Sequence, residues 1–259
     1  MNKTLSILVV LLLTTYSVAA EKTIINEENN KYTFVLVHGV TGGGWDWKEV
    51  AEQLNTKGHT VYRPTLTGLG ERHHLANADI NLTTHINDVV NVIIFEELQN
   101  VILVGHSYGG MVITGVMDRI PERIHHVTFL DAKVPNDGMS MMEGQQIPAE
   151  HKVIDSQVSF SWIDVNAPFP RDVAHPIKTL TEPVSYKNPL AKKLNVTYVA
   201  FIPNGVSKEE RAKDPSWNRA VERNWTIRTF NGDHVVYRTK PVEFSIMLEE
   251  TVKDINKKL

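Results

Sequence analysis

The chain has 259 residues, with 27 Lys and Arg against 30 Asp and Glu, and it contains no cysteine. Lack of cysteine excludes disulfides, thiolate metal sites and a cysteine nucleophile together, and near-neutral charge gives nucleic-acid binding no electrostatic support. The length suits one large α/β domain better than two.

Residues 1–20 carry Lys3, the apolar run Ile7 to Leu13 and the small-residue ending Ser17-Val18-Ala19-Ala20, followed by the charged Glu21-Lys22. That order reads as a secretory signal peptide whose apolar run is too short to stay as a membrane anchor. Export to periplasm or medium is expected, with 21–259 as the folded domain. Thr23 to Ile25 is a candidate edge strand, and Phe34 to Val37 is the first clear strand. Trp45 to Lys57 has helical apolar spacing, and Gly58 stops it. His59 to Tyr62 returns as a strand into the glycine-rich loop Arg63 to Gly70. Thr83 or Thr84 is placed to cap a helix carrying Ile86, Val89, Val90, Ile93 and Ile94. Strands follow at Val101 to Val104 and Val127 to Leu130, separated by a helix ending near Arg119.

From about 134 to 194 the alternation dissolves into a segment rich in proline, methionine and aromatic residues, the pattern of a cap over a site. Met139 and Met142 are expected to pack inside it or to line an apolar pocket, and Trp45 and Trp162 are further candidates for that pocket. Val196 to Ile202 resumes the sheet, Trp225 to Phe230 adds a last strand, and Val242 to Ile255 closes with a helix. Apolar strands alternating with helices predict a mostly parallel sheet covered on both faces.

The chemistry centres on Gly105-His106-Ser107-Tyr108-Gly109-Gly110, directly after the Val101 strand. A serine hydroxyl is a poor nucleophile at neutral pH, so it needs a sharp strand-to-helix turn where a base and backbone N–H groups reach it. His234, beyond the final strand, is the candidate base, because imidazole titrates near neutrality and the chain order Ser, acid, His is kept. The loop His38 to Trp45 supplies a second element of an oxyanion hole, with the N–H groups of Val40 and Tyr108 as candidate donors. His38 is read as a brace for that loop. The histidine pairs His73-His74 and His125-His126 point apart and lack ligand spacing, so neither a metal nor a cofactor is expected.

Through Val37-His38-Gly39, the Gly105 to Gly110 elbow and Gly232-Asp233-His234, the chain resembles the α/β-hydrolase superfamily. Leu66-Thr67-Gly68-Leu69-Gly70-Glu71-Arg72, Asp88-Val89-Val90 and Phe129-Leu130-Asp131-Ala132 look like the branch of small bacterial esterases, plant methylesterases and hydroxynitrile lyases. The resemblance implies a sheet of about eight strands with a cap between strands six and seven. It also implies an acid after the Val196 strand, but that place holds Pro203-Asn204-Gly205, and a neutral Asn204 cannot stabilise an imidazolium. Asp131 is therefore the candidate acid, with Asp214 and Glu209 as alternatives, and Asp233 is read as a turn residue.

These parts suit a serine hydrolase that cleaves small carboxylic esters through an acyl-enzyme. Hydroxynitrile cleavage and a non-catalytic ligand-binding homologue are the alternatives. The lyase pattern carries a threonine after the first-loop histidine and a lysine near the catalytic one, where this chain has Gly39 and Val235-Val236.

Overall fold

The computed structural model describes residues 31–256. The signal segment 1–20 and the edge strand expected at Thr23 to Ile25 lie outside the described residues. Within them the elements run β1 (Thr33–Val37), α1 (Lys48–Thr56), β2 (Thr60–Tyr62), α2 (Leu82–Phe95), β3 (Val101–His106), α3 (Gly109–Arg119) and β4 (Ile124–Leu130). An insertion follows with β5 (Lys152–Ile154), β6 (Gln157–Ser159), β7 (His175–Pro176) and α4 (Lys178–Thr181). The chain then makes β8 (Asn195–Ile202), α5 (Lys208–Arg211), α6 (Pro215–Glu222), β9 (Thr226–Asn231) and α7 (Pro241–Asn256).

The main sheet has the order β2-β1-β3-β4-β8-β9, and every neighbouring pair is parallel. Among the described residues the main sheet therefore has six strands, against the eight implied by the resemblance. Strand periodicity builds a core on each face. Val35, Val37, Val101, Leu103, Val127, Phe129, Tyr198 and Ala200 face α2, α3 and α6, whereas Phe34, Leu36, Ile102, Val104, Leu130, Val199 and Phe201 face α1 and α7. Burial on both faces is why these strands read as unbroken apolar runs. Strand order reverses between β1, which is flanked by β2, and β3, which leads to β4. Loops leaving the carboxyl ends of β1 and β3 meet there, at the place where open parallel sheets hold their ligands.

Two local readings change. The start of α2 is capped by Asn81, whose Oδ1 accepts the Thr84 N–H at 2.9 Å while the Thr84 hydroxyl closes the box; asparagine outranks threonine as a cap. Trp45 lies in a 3₁₀ turn, Gly44–Trp47, and α1 begins only at Lys48. Gly44 lets that turn lie against the loop after β2, since a Cβ there would stand 2.3 Å from the Arg63 carbonyl oxygen.

The insertion pairs β5, β6 and β7 into an antiparallel sheet and reaches the loop after β1. The Val173 N–H donates to the Thr41 carbonyl at 2.9 Å, and the Thr41 hydroxyl donates to Asp172 at 2.9 Å. No helix among the described residues is long and apolar enough to cross a membrane.

Candidate active site

Ser107 follows the last residue of β3 and adopts φ of 54°, a left-handed conformation rare for serine. Neighbouring backbone fixes it there. Its N–H donates to Leu130 O at 3.1 Å, and its carbonyl accepts the N–H groups of Gly110 and Lys133 at 3.1 and 3.0 Å. The flanking glycines are required by space: a Cβ at Gly109 stands 2.8 Å from Val37 O, and one at Gly110 stands 2.1 Å from Lys133 O. Gly39 lets the first loop come close, since its Cβ position is only 3.1 Å from the Ser107 Cβ.

His234 and Asp131 meet directly. His234 Nδ1 and Asp131 Oδ2 are 2.6 Å apart, a charge-assisted hydrogen-bond distance. The other oxygen of Asp131 accepts the Phe201 N–H at 3.2 Å and an Arg211 guanidinium N–H. Burial pushes the Asp131 carboxyl up, but the hydrogen bonds and charges of His234 and Arg211 outweigh it, and the group stays below the ordinary carboxylate range. It is thus an ionised acceptor that fixes the Nδ1–H tautomer of His234 and leaves Nε2 for the reacting group.

Two cavities meet at Ser107 and His234. One, of about 430 Å³, is lined by Ser107, His234, Val40, Thr41, Trp162 and Arg238 among others. The second, of about 360 Å³, is lined by Ser107, His234, Asp131, Lys133, Met141 and Arg211 among others. Val40 lies beside Ser107 in the first cavity, and Tyr108 is the N-cap of α3, where helix N–H groups converge.

The other sequence candidates divide, and Asp214, though it lines the second cavity, is engaged away from His234. Asp214 caps α6 through the N–H groups of Ser216 and Trp217 and pairs with Arg211 at 3.0 Å. Glu209 is exposed in the first turn of α5. The methionine in the described lining of the second cavity is Met141. Met142 packs on the core, and Met139 lies in a turn whose carbonyl accepts the Val184 N–H. Trp162 lines the Ser107 cavity, while Trp45 lines a neighbouring one. His73 stacks on Phe169, and His125 and His126 are successive residues of β4, which point to opposite faces.

Histidines organise the loops around this centre. His38 Nδ1 donates to the Gly39 carbonyl at 2.9 Å while its Nε2 accepts the Leu66 N–H at 3.1 Å, which ties the β1 and β2 loops together. Burial holds His38 down to about 4, so it stays neutral and can do both. His106, the second residue of the elbow, was not marked by sequence reasoning. Its Nε2 donates to the His234 carbonyl at 2.7 Å, and burial and the neighbouring His234 keep its pKa well below the usual histidine range. Its position between Gly105 and Ser107 was the available signal. Arg211 was also missed; it lies 80 residues from Asp131 and nothing local marks it.

Similarity to known proteins is strongest in part of the chain. A carbendazim hydrolyzing esterase from Nocardioides sp. (strain SG-4G) is 55% identical over 109 residues, which is 42% of this chain and 45% of that protein. Methylesterase 1 from Arabidopsis thaliana is 32% identical over 114 residues, 43% of each. The match thus spans less than half the length of these curated relatives. Among solved structures, an extracellular alpha/beta-hydrolase from a Paenibacillus species has a TM-score of 0.68 at 24% identity, covering 85% of this chain and 98% of that one. An Arabidopsis methylesterase structure has a TM-score of 0.63 at 20% identity, covering 86% and 99%. Both share the parallel sheet and its flanking helices. The sequence profile of the alpha/beta hydrolase family matches residues 34–245, from β1 through the elbow and the His234 loop to α7, and the chain belongs to that family.

Proposed function

We propose that the protein is a serine hydrolase of small carboxylic esters. The observation that carries this reading is the 2.6 Å contact between His234 Nδ1 and Asp131 Oδ2, made beside a Ser107 held at positive φ in a cavity it shares with His234. Esterase activity named for the similar Nocardioides and Arabidopsis proteins supports the same class.

In this mechanism Ser107 Oγ attacks the ester carbonyl as His234 Nε2 takes its proton, and the ionised Asp131 stabilises the imidazolium. The oxyanion accepts N–H groups from Val40 and Tyr108, which do not reorient as charge develops. Collapse breaks the bond to the alcohol oxygen, and His234 returns the proton to that oxygen. Water, deprotonated by His234, then attacks the acyl-enzyme; the acid leaves and Ser107 regains its proton.

A panel of ethyl, methyl and p-nitrophenyl esters, with carbendazim included, tests the class. Wild type should show an acyl-enzyme burst and label at Ser107 with an organophosphonate, and Ser107→Ala should lose both. A folded protein with neither burst nor label would return the reading to a ligand-binding homologue. Cyanide release from mandelonitrile faster than by Ser107→Ala would point to a lyase.

A further inference from the structure

Beside the first Ser107 cavity lies a third one, of about 460 Å³, walled by Trp45, His73, Phe169 and Pro170 with Glu71 and Arg171. That volume is in the range of small-ligand pockets. The two cavities are back to back. Trp45 lines the outer one and its neighbour Asp46 the inner one; Arg171 lines the outer one and Asp172 the inner one. Arg238 lines the inner cavity, and its guanidinium lies 4.8 Å over the ring of Trp45, which lines the outer one.

The outer walls are aromatic and partly unburied. Phe169 is 63% exposed, although His73 stacks on it at 5.5 Å and Arg171 lies 4.8 Å over its ring. These contacts hold the ring in place while leaving apolar surface for an occupant. Two charged residues also line the cavity: Arg171, over the Phe169 ring, and Glu71, whose carboxylate accepts the Thr65 hydroxyl at 2.9 Å. A planar ring gains stacking area on the aromatic walls.

We propose that this outer cavity is a subsite for a planar aromatic portion of the ester cleaved at Ser107. The proposal rests on the ester-hydrolase reading above. It makes Phe169 and His73 specificity-determining residues that take no part in bond breaking.

The test compares kcat/KM for 2-naphthylmethyl acetate and methyl 2-naphthoate, which carry the ring on the alcohol and the acyl side, with that for ethyl acetate. Phe169→Leu and His73→Ala should each lower the aromatic-to-ethyl ratio for at least one naphthyl ester by about fivefold, through KM. Binding of 2-naphthol to the Ser107→Ala protein, followed by calorimetry, should weaken by a similar factor when Phe169→Leu is added. Ratios that stay constant in folded variants, with unchanged 2-naphthol binding, would overturn the subsite, as would an equal loss for all three esters. If the wild type cleaves no ester, the function reading fails, while 2-naphthol binding still reports on the subsite.

Discussion

Asp131 has φ of 44°, a conformation costly for any residue with a Cβ. It is held there by its own N–H, which donates to Val199 O at 2.8 Å, and by a carboxylate anchored to Phe201, Arg211 and His234. The strained backbone aims Oδ2 at the His234 ring. Asp131→Asn keeps the volume but replaces an acceptor with an amide that can hold the wrong imidazole tautomer, so kcat should fall by about 10³ to 10⁴ with the fold intact. Asp214→Asn, which keeps an asparagine cap on α6, should lower kcat far less. Steady-state kinetics on both variants separates the two carboxylates. Arg211→Met removes one of the groups that hold the Asp131 carboxyl low, so that carboxyl moves up. A depressed folded-state pKa contributes stability above the unfolded value, near 4, that is lost as pH falls through the folded one. Acid unfolding of Arg211→Met, followed by circular dichroism, should therefore begin at higher pH than in wild type.

At the scale of elements, the elbow works because β3 and α3 approach across glycines. Gly110→Ala places a methyl 2.1 Å from the Lys133 carbonyl, which is backbone and cannot rotate away. Overpacking of this kind costs about 1–3 kcal/mol, to be read in urea melts as a lowered midpoint with unchanged slope. The elbow was legible in the sequence because its whole logic lies in six contiguous residues after an apolar strand. Strands β1, β3, β4, β8 and β9 and the closing α7 were legible for a similar reason, each carrying its own period. The insertion was legible only as a break. Strands β5, β6 and β7 have three, three and two residues, too few to display alternation. Arg211 and the contact of His106 with His234 depend on chain segments that meet only in three dimensions. Asp131 became the candidate acid by a different route, because the usual acid position after β8 holds Asn204 and the end of β4 offers a carboxylate.

At the scale of the whole fold, three segments of the described residues meet at a charged cluster. Asp46 follows the β1 loop, Asp172 belongs to the insertion, and Arg238 follows His234; Arg238 Nη2 lies 2.5 Å from Asp46 Oδ1 and 3.5 Å from Asp172 Oδ1. Three segments that surround Ser107 are therefore tied through a single guanidinium. Asp46 is the least exposed member, at 6%. Burial raises its pKa from 3.8 to about 6, against the opposing pull of Arg238. The sign follows directly. A carboxyl whose folded pKa is raised favours folding in its neutral form, so its contribution is complete below the unfolded value near 4 and is lost as pH rises through about 6. Asp46→Asn keeps the shape and removes the buried charge. At pH 7.5 the variant should be more stable than wild type, by up to about 3 kcal/mol from the size of the shift, and the difference should vanish at pH 4. Urea melts of both proteins at the two pH values measure it. A variant less stable than wild type at pH 7.5 would mean instead that the Arg238 pair outweighs the cost of burying the charge. The carboxylate would then hold Arg238, and through it Asp172 of the insertion, by attraction.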